Sequence, residues 1–429
     1  MTATTYNLCE EGLARSSTAA LPFAIGFYFA FRIMIVVLAV RLLGTDARAG
    51  AGINLAFNFF FLILVAFCSL GEIQYPLRRM ARLASVRWVF IFLAVSGCSL
   101  SWTVAASLPA AIAYWCAMAA DVAIVILLLR AGPLTDAAYS LLKGYVWGAC
   151  GVAAIAWIMP AQSDLRLGDE EFLGPNQIGY VCAFAFLLAQ YLMLKKDGRW
   201  RIPALLLAVT VLRSLSKTTI LAFLICECFM LIKDRSMSRK TKLWLFMAAG
   251  LVIVAFSSLL AAYFDAYTNT GNESETLTGR LGIWAYFLGE AMQQPWIGHG
   301  FHSVWKVIPP FGSDQFEARH AHNELLQQFY AYGALGVCLF AGIYGSFFRQ
   351  VRRLELGRVK TFLFALLIFV LVRGLADTEA FDLSLPLWTI TLFGILVERE
   401  CAASRGAMAC LPRDRIDLAE AATNPAGAR

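Results

Sequence analysis

The stretch GINLAFNFFFLILVAFCSL, residues 52–70, carries no charged side chain and is about as long as a helix needs to cross the ~30 Å hydrocarbon layer of a bilayer. Comparable apolar runs recur near 20–43, 88–108, 110–130, 140–160, 177–194, 202–214, 217–232, 243–262, 323–348, 361–376 and 385–397. Together they predict about twelve transmembrane helices, the seventh and twelfth short, and the third and fourth separated by a turn around Pro109. Composition agrees: of 429 residues 59% are hydrophobic and only 15% charged, with a mean hydropathy of +0.66. A water-soluble surface needs roughly a quarter charged residues, so a soluble globule is excluded. The expected fold class is an all-α polytopic integral membrane protein with one large external loop.

Charge sets the orientation. The balance of 36 Lys and Arg against 29 Asp and Glu gives +7, which in a membrane protein reports topology rather than nucleic-acid binding. Basic residues cluster at Arg78, Arg79, Arg82 and Arg87, at Lys195, Lys196, Arg199 and Arg201, at Lys233, Arg235, Arg239, Lys240 and Lys242, and at Arg349, Arg352, Arg353, Arg358 and Lys360. An even number of predicted crossings separates every pair of these loops, so all are expected in the cytoplasm together with both termini. The opposite face receives 161–176 with Asp164, Asp169, Glu170 and Glu171, the long segment 263–322, and 377–384 with Asp377, Glu379 and Asp382. The chain thus divides into helices over 1–262, an external loop over 263–322, helices over 323–397 and a poorly ordered cytoplasmic tail over 398–429. Met1–Thr18 lacks the pattern of a cleaved signal, so the first helix is expected to stay as an anchor. No period of 20–50 residues points to a solenoid. The 11 cysteines, at 9, 68, 98, 116, 150, 182, 226, 228, 338, 401 and 410, form no disulfide framework.

All four histidines, His299, His302, His320 and His322, fall within 24 residues of the external loop. Their H-x2-H and H-x-H spacings do not put two ligands on one helix face, so no metal is expected. His299 and His302 are expected as solvated or hydrogen-bonded loop residues. His322 differs, because it stands where the loop enters an apolar helix, before Asn323 and before Gly333 and Gly336, whose spacing lets another helix approach. A neutral imidazole there suits general-base work. Arg280 opens a run with apolar or aromatic residues at 281, 283, 284, 287 and 288, predicting an amphipathic helix against the membrane, and its guanidinium fork suits a diphosphate. Arg213 and Lys217 flank Ser214-Leu215-Ser216 at the external junction of two spans, where cations normally pair or line a hydrated cavity. Arg373 is a further candidate, with Asp377 one turn later as a structural partner. Arg32 and Arg130 are expected as ordinary cations near span ends. Lys217, Arg280 and His322 together fit chemistry on a lipid-linked diphosphate, with cations on the leaving group and a histidine promoting attack by an acceptor hydroxyl.

These residues sit in motifs. Gly279-Arg280-Leu281-Gly282-Ile283-Trp284, followed by Pro295-Trp296-Ile297-Gly298-His299-Gly300, resembles a G-R-x-x-x-W and P-x-x-G-x-G loop signature. His322-Asn323, then Gly333-Ala334-Leu335-Gly336, resembles H-N-x9-G-x-x-G, and Ser214-Leu215-Ser216-Lys217-Thr218-Thr219 resembles S-x-S-K-T. With Gly174-Pro175-Asn176, they make residues 160–345 similar to the O-antigen ligase and polysaccharide polymerase family of integral-membrane glycosyltransferases. The resemblance implies a C-type glycosyltransferase-like architecture with a large periplasmic loop, an inner-membrane location, and undecaprenyl-diphosphate-linked glycans as donor and acceptor. It also implies no metal or other cofactor, catalytic roles for Lys217, Arg280 and His322, substrate binding by Arg213, Asn323, Asn176 and Arg373, and a chain-length regulator and flippase of the same pathway as partners besides membrane lipid. Val337 stands where the ligase motif has Gly, Thr or Tyr, and Lys217 where many ligases have arginine. Both differences favour a polymerase over a ligase that delivers glycan to lipid A core. A transporter would share the spans and cations, but the internal duplication usual in transporters is not evident in this sequence, and that reading gives no reason for His322.

Overall fold

The computed structural model describes residues 3–70, 76–159, 166–168, 173–194, 198–234, 237–255, 257–258, 261–262, 265, 277–306, 310–311, 316–317, 320–378 and 383–409. Asp164, Asp169, Glu170, Glu171, Glu379 and Asp382 lie outside them, as do residues 266–276 of the long loop. The helices are α1 (Ala3–Leu43), α2 (Ala47–Cys68), α3 (Leu77–Met80), α4 (Ala84–Ser99), α5 (Leu108–Ala131), α6 (Leu134–Ile158) and α7 (Pro175–Met193). They continue with α8 (Arg201–Ser214), α9 (Lys217–Lys233), α10 (Arg239–Ala255), α11 (Leu277–Ala291), α12 (Glu324–Arg352), α13 (Arg358–Gly374) and α14 (Ser384–Ala409). Among the described residues the strands are confined to a two-residue antiparallel pairing of β1 (Pro310–Phe311) with β2 (Phe316–Glu317) in the long loop, and short 3-10 turns occupy Gly198–Trp200 and Ser303–Lys306.

Every predicted span overlies a helix. Six of these are long and apolar enough to cross a membrane: Ala19–Leu43, Arg48–Cys68, Leu108–Ala131, Leu134–Ile158, Pro175–Met193 and Glu324–Arg352. The helices α4, α8, α9, α10 and α13 have 14 to 17 residues, a rise of about 21–26 Å, short of the hydrocarbon thickness when upright. Pro109 is not the turn between the third and fourth spans. It lies in the first turn of α5, where a missing N–H costs nothing, and the turn occupies 100–107. The last helix continues through Glu398 to Ala409, past the expected start of the tail, on a run of good helix formers.

Close backbone contact and buried charge hold the bundle. At the crossing of α1 and α6, a Cβ on Gly26 would collide with the Leu141 carbonyl and one on Gly144 with the Phe23 carbonyl. Backbones approach that closely only where side chains are absent, and dispersion then replaces the hydrophobic drive that lipid does not supply. Arg32, expected as an ordinary span-end cation, lies instead in the interior of α1, 5% exposed, with Nη1 2.5 Å from Oδ2 of the fully buried Asp121 on α5. Its Nη2 donates to Ser384 Oγ of α14 at 3.2 Å, and Ser384 in turn donates to Asp121. A charge in this medium needs a partner, and the triad ties three helices across long sequence distances. Arg130 does occupy the last turn of its helix, as its position predicts.

Asp121→Ala leaves the buried guanidinium without its carboxylate and is expected to cost about 3–5 kcal/mol, while Arg32→Met with Asp121→Leu recovers most of that loss. Thermal unfolding in detergent measures both, and equal melting of wild type and Asp121→Ala would refute the role of the pair.

Candidate active site

The site is organised by a broken helix. Gly333 in α12 takes φ 62°, ψ −152°, a conformation essentially reserved for glycine. The break frees backbone groups, and the segment around Pro295–Gly300 takes them up. Ala334 N–H donates to the Pro295 carbonyl at 2.7 Å and Leu335 N–H to that of Trp296 at 3.3 Å. In the other direction His299 N–H donates to the Tyr330 carbonyl at 3.0 Å and Gly300 N–H to that of Ala331 at 2.8 Å. A Cβ on Gly333 would run into the Trp296 backbone, and one on Gly298 into Tyr332 N. The two glycine motifs are therefore the two sides of one joint. His299 and His302 serve packing: His299 stacks on Tyr330 at 4.4 Å, and His302 on Tyr114 at 4.7 Å.

The joint holds the start of α12 in place. Asn323 caps that helix, accepting from Leu326 N at 3.0 Å, and its Nδ2 donates to the Leu375 carbonyl beyond α13 at 3.0 Å. Its side chain is thus engaged in structure on both ends. His322, with φ 48°, is turned so that Nδ1 lies 3.6 Å from Asp377 Oδ1, an ion-pair distance longer than a hydrogen bond. Arg373 Nη2 donates to Asp377 Oδ2 at 2.9 Å, bearing out the structural partnership expected for that pair, and its guanidinium lies 3.8 Å over the Tyr180 ring of α7. Burial alone would push the Asp377 carboxyl up, but the Arg373 guanidinium, with His322 and His320, more than offsets it and holds the group below its usual range. The His320 ring meets His322 edge to face at 4.0 Å; desolvation first, and then the neighbouring His322, pull His320 down to about 3, so it is neutral at pH 7.

The cationic arm reaches the same place from the loop. Arg280 lies in the first turn of α11, which forms where an amphipathic helix is expected. Its Nη1 donates to the Ala376 carbonyl at 2.6 Å, one residue before Asp377, and to Thr218 Oγ1 at 3.3 Å, one residue after Lys217. The Arg280 Nε is buried without a hydrogen-bond partner. Lys217 is the first residue of α9 and is exposed; Leu215 before it takes φ 57°, and Ser216 Oγ donates to Thr219 Oγ1 at 2.9 Å, so the serines shape the turn. Arg213 is half-buried in the last turn of α8. Asn176 stands in the first turn of α7, one turn before Tyr180, at the same end of the bundle but outside the Arg280 contacts.

The structure thus gathers His322, Arg280, Arg373 and the start of α9 with Lys217. Sequence reasoning missed Asp377 as a neighbour of His322, His320 against the same ring, Thr218 under Arg280, and the buried Glu324, which accepts from Gln328 at 2.9 Å. The Arg373-x3-Asp377 spacing was the one available signal, and it pointed only within its own helix end. No metal was expected, yet one group of described residues has spacing that admits an ion: the ligand atoms of His320, His322 and Asp377 lie within 4.8 Å of one another. The carboxylate already carries the Arg373 guanidinium on one oxygen and the Thr378 N–H on the other at 3.0 Å, which makes it a poor third ligand.

Comparison with known proteins bears on the family. Residues 202–341 match the O-antigen ligase family, a narrower stretch than the 160–345 read from motifs, holding Arg213, Lys217, Arg280, His322 and Asn323 but not Asn176, Arg373 or Asp377. The chain is also 26% identical over 300 residues to the exopolysaccharide production protein ExoQ of Rhizobium meliloti (strain 1021), over 63% of this chain and 66% of that relative, just under two thirds of its length. Both findings bear out the resemblance to the O-antigen ligase and polysaccharide polymerase family.

Gly333→Ala is expected to cost about 1–3 kcal/mol in backbone strain alone, with more from the clash at Trp296; limited proteolysis should find the 295–300 segment opened in the variant. Acid should also act here. An unfolded His320 takes up its proton near 6.5 and the folded one only near 3, so between these values the unfolded chain binds more protons and stability falls as pH drops. Asp377, depressed from 3.8, contributes stability that is present above that value and is lost as pH falls further. Melting of His320→Gln should depend less steeply on pH than wild type between neutral and mildly acidic conditions; equal slopes would refute the half-buried neutral imidazole.

Proposed function

We propose that the protein polymerises undecaprenyl-diphosphate-linked oligosaccharide repeat units into exopolysaccharide or O-antigen at the periplasmic face of the bacterial inner membrane. In this reading both termini are cytoplasmic, about twelve helices span the membrane and 263–322 is the periplasmic loop. The observation that carries it is the bridge made by Arg280, which touches Thr218 beside Lys217 and Ala376 beside the His322–Asp377–Arg373 group. Arg280 and Lys217 bind the diphosphate of the donor, and the unpartnered Nε of Arg280 supplies a donor that a phosphate oxygen would satisfy. Asp377 beside Nδ1 favours the tautomer with its proton there, which leaves Nε2 of His322 as the base.

The acceptor sugar hydroxyl attacks the anomeric carbon of the donor. The bond from that carbon to the phosphate oxygen breaks, the electron pair leaves with the undecaprenyl diphosphate, and the hydroxyl proton passes to His322. No metal is needed in this scheme, since guanidinium and ammonium groups carry the developing charge. Arg373 acts through Asp377 as a positioning residue. A chain-length regulator and a flippase that delivers the lipid-linked repeats are the natural partners.

The O-antigen ligase match over 202–341 supports a second reading, transfer of the same donor to lipid A core. Purified protein in liposomes with lipid-linked repeats and a metal chelator is expected to yield a ladder of longer glycans. Arg280→Ala and His322→Ala should each lower it at least about a hundredfold, the range for loss of a charge-stabilising or proton-transferring group. Product only when lipid A core is added would make the protein a ligase. Full activity in both variants would remove the proposed site, and activity restored only by divalent metal would point to the His320, His322 and Asp377 group.

A further inference from the structure

At the end of the bundle away from the candidate site, a cavity of about 550 Å³ opens between the α3–α4 region, the last turns of α12 and Glu398 of α14. From Gly333 to Arg352 the rise of α12 is about 28 Å, so the two sites are separated by nearly a hydrocarbon thickness. Arg79, Arg82 and Arg87 line the cavity from one side and Arg349 and Arg353 from the other, with Glu398 the single carboxylate among the described lining residues. Glu355 and Glu400, each two residues from a lining residue, are not among the described lining residues.

Topology explains why both loops are basic, but not why they converge. Like charges three or four residues apart on a helix repel, and here Arg349 and Arg353 are so spaced and face a second arginine group. The frame that brings them together is built: Ser85 Oγ donates to Gln350 Oε1 at 2.7 Å, and Gln350 Nε2 donates to the Gly394 carbonyl at 2.6 Å, locking α4, α12 and α14 beneath the cavity. Guanidinium forks suit phosphate oxygens bidentately, and basic pockets between helices at a membrane edge are where phosphate-bearing headgroups bind. Trp88 in the lining supplies an aromatic side chain of the kind found at membrane interfaces.

We infer that this arginine cavity is a binding site for an anionic phosphate group, remote from and independent of the candidate active site. The group comes either from an anionic phospholipid headgroup or from a soluble phosphate compound.

The test uses the full chain in detergent micelles and follows thermal unfolding with added short-chain phosphatidylglycerol, with phosphatidylcholine of the same chain length, and with inorganic pyrophosphate. The variant Arg82→Gln with Arg349→Gln removes one arginine from each side, and Arg201→Gln with Lys233→Gln removes the same charge outside the cavity. A saturable rise in melting temperature with phosphatidylglycerol, absent with phosphatidylcholine, is expected. Its affinity should weaken about fivefold per cavity arginine removed, about thirtyfold in the double variant, and hold in the control. A response to pyrophosphate with the same variant pattern would assign the site to a soluble compound. No response to either anion, or equal weakening in the control variant, would overturn the proposal. Should the double variant fail to fold, wild type labelled with a photoreactive phosphatidylglycerol or pyrophosphate decides, since cross-links must fall on 79–88 and 346–353 and labelling only elsewhere overturns the site.

Discussion

Backbone polar groups buried away from water must be paired, and that constraint governs the centre of this protein. Breaking α12 at Gly333 leaves carbonyls and N–H groups that neither lipid nor the helix itself satisfies. The Pro295–Gly300 segment takes them up by exchanging hydrogen bonds with both sides of the break. It is further pinned to the turn after α4, where Thr103 Oγ1 donates to the Phe301 carbonyl at 2.5 Å and Phe301 N–H donates to Ser99 Oγ at 2.9 Å. Loop and helix are thereby a single unit, and the side chains just before the break inherit its rigidity.

On that unit rests an electrostatic arrangement with one dominant charge pair. Asp377 is shared by Arg373 and His322, and the ordering of its two oxygens decides what each partner does. The Arg373 contact at 2.9 Å pairs the carboxylate directly, while Nδ1 of His322 stands off at 3.6 Å, longer than a hydrogen bond. Arg280 spans the remaining gap between α9 and the end of α13. The bundle beneath uses the same logic for a different end, since Arg32, Asp121 and Ser384 pair a buried charge across three helices.

Much of the fold was legible because membrane crossing imposes a length and an apolar composition that sequence displays directly. Each predicted span lies on a helix, and the amphipathic run after Arg280 is α11. Errors arose where local pattern was silent. Pro109 looked like a break because proline interrupts helices, yet a first turn tolerates it. Arg32 looked unremarkable because its partner Asp121 lies in another apolar run. Of the candidate site, Arg280, Lys217 and His322 stood out through motif and residue type, and Arg373 with Asp377 through helical spacing. Asn323 carries a structural role that its motif does not show, with its carbonyl accepting at the helix cap and its amide donating to Leu375.

The sequence by itself determined that the chain is a helical membrane protein, which of its loops are basic, and which side chains have the chemistry to handle a diphosphate and a proton. Those properties are local, set by the length and polarity of contiguous runs. Only the tertiary structure decided that His322 faces Asp377, that the glycine motifs form one joint and that arginines from two distant loops share a cavity. The physical reason is that a buried charge or an unpaired backbone group is satisfied by whatever lies nearest in space, and packing brings together residues that no sequence period relates.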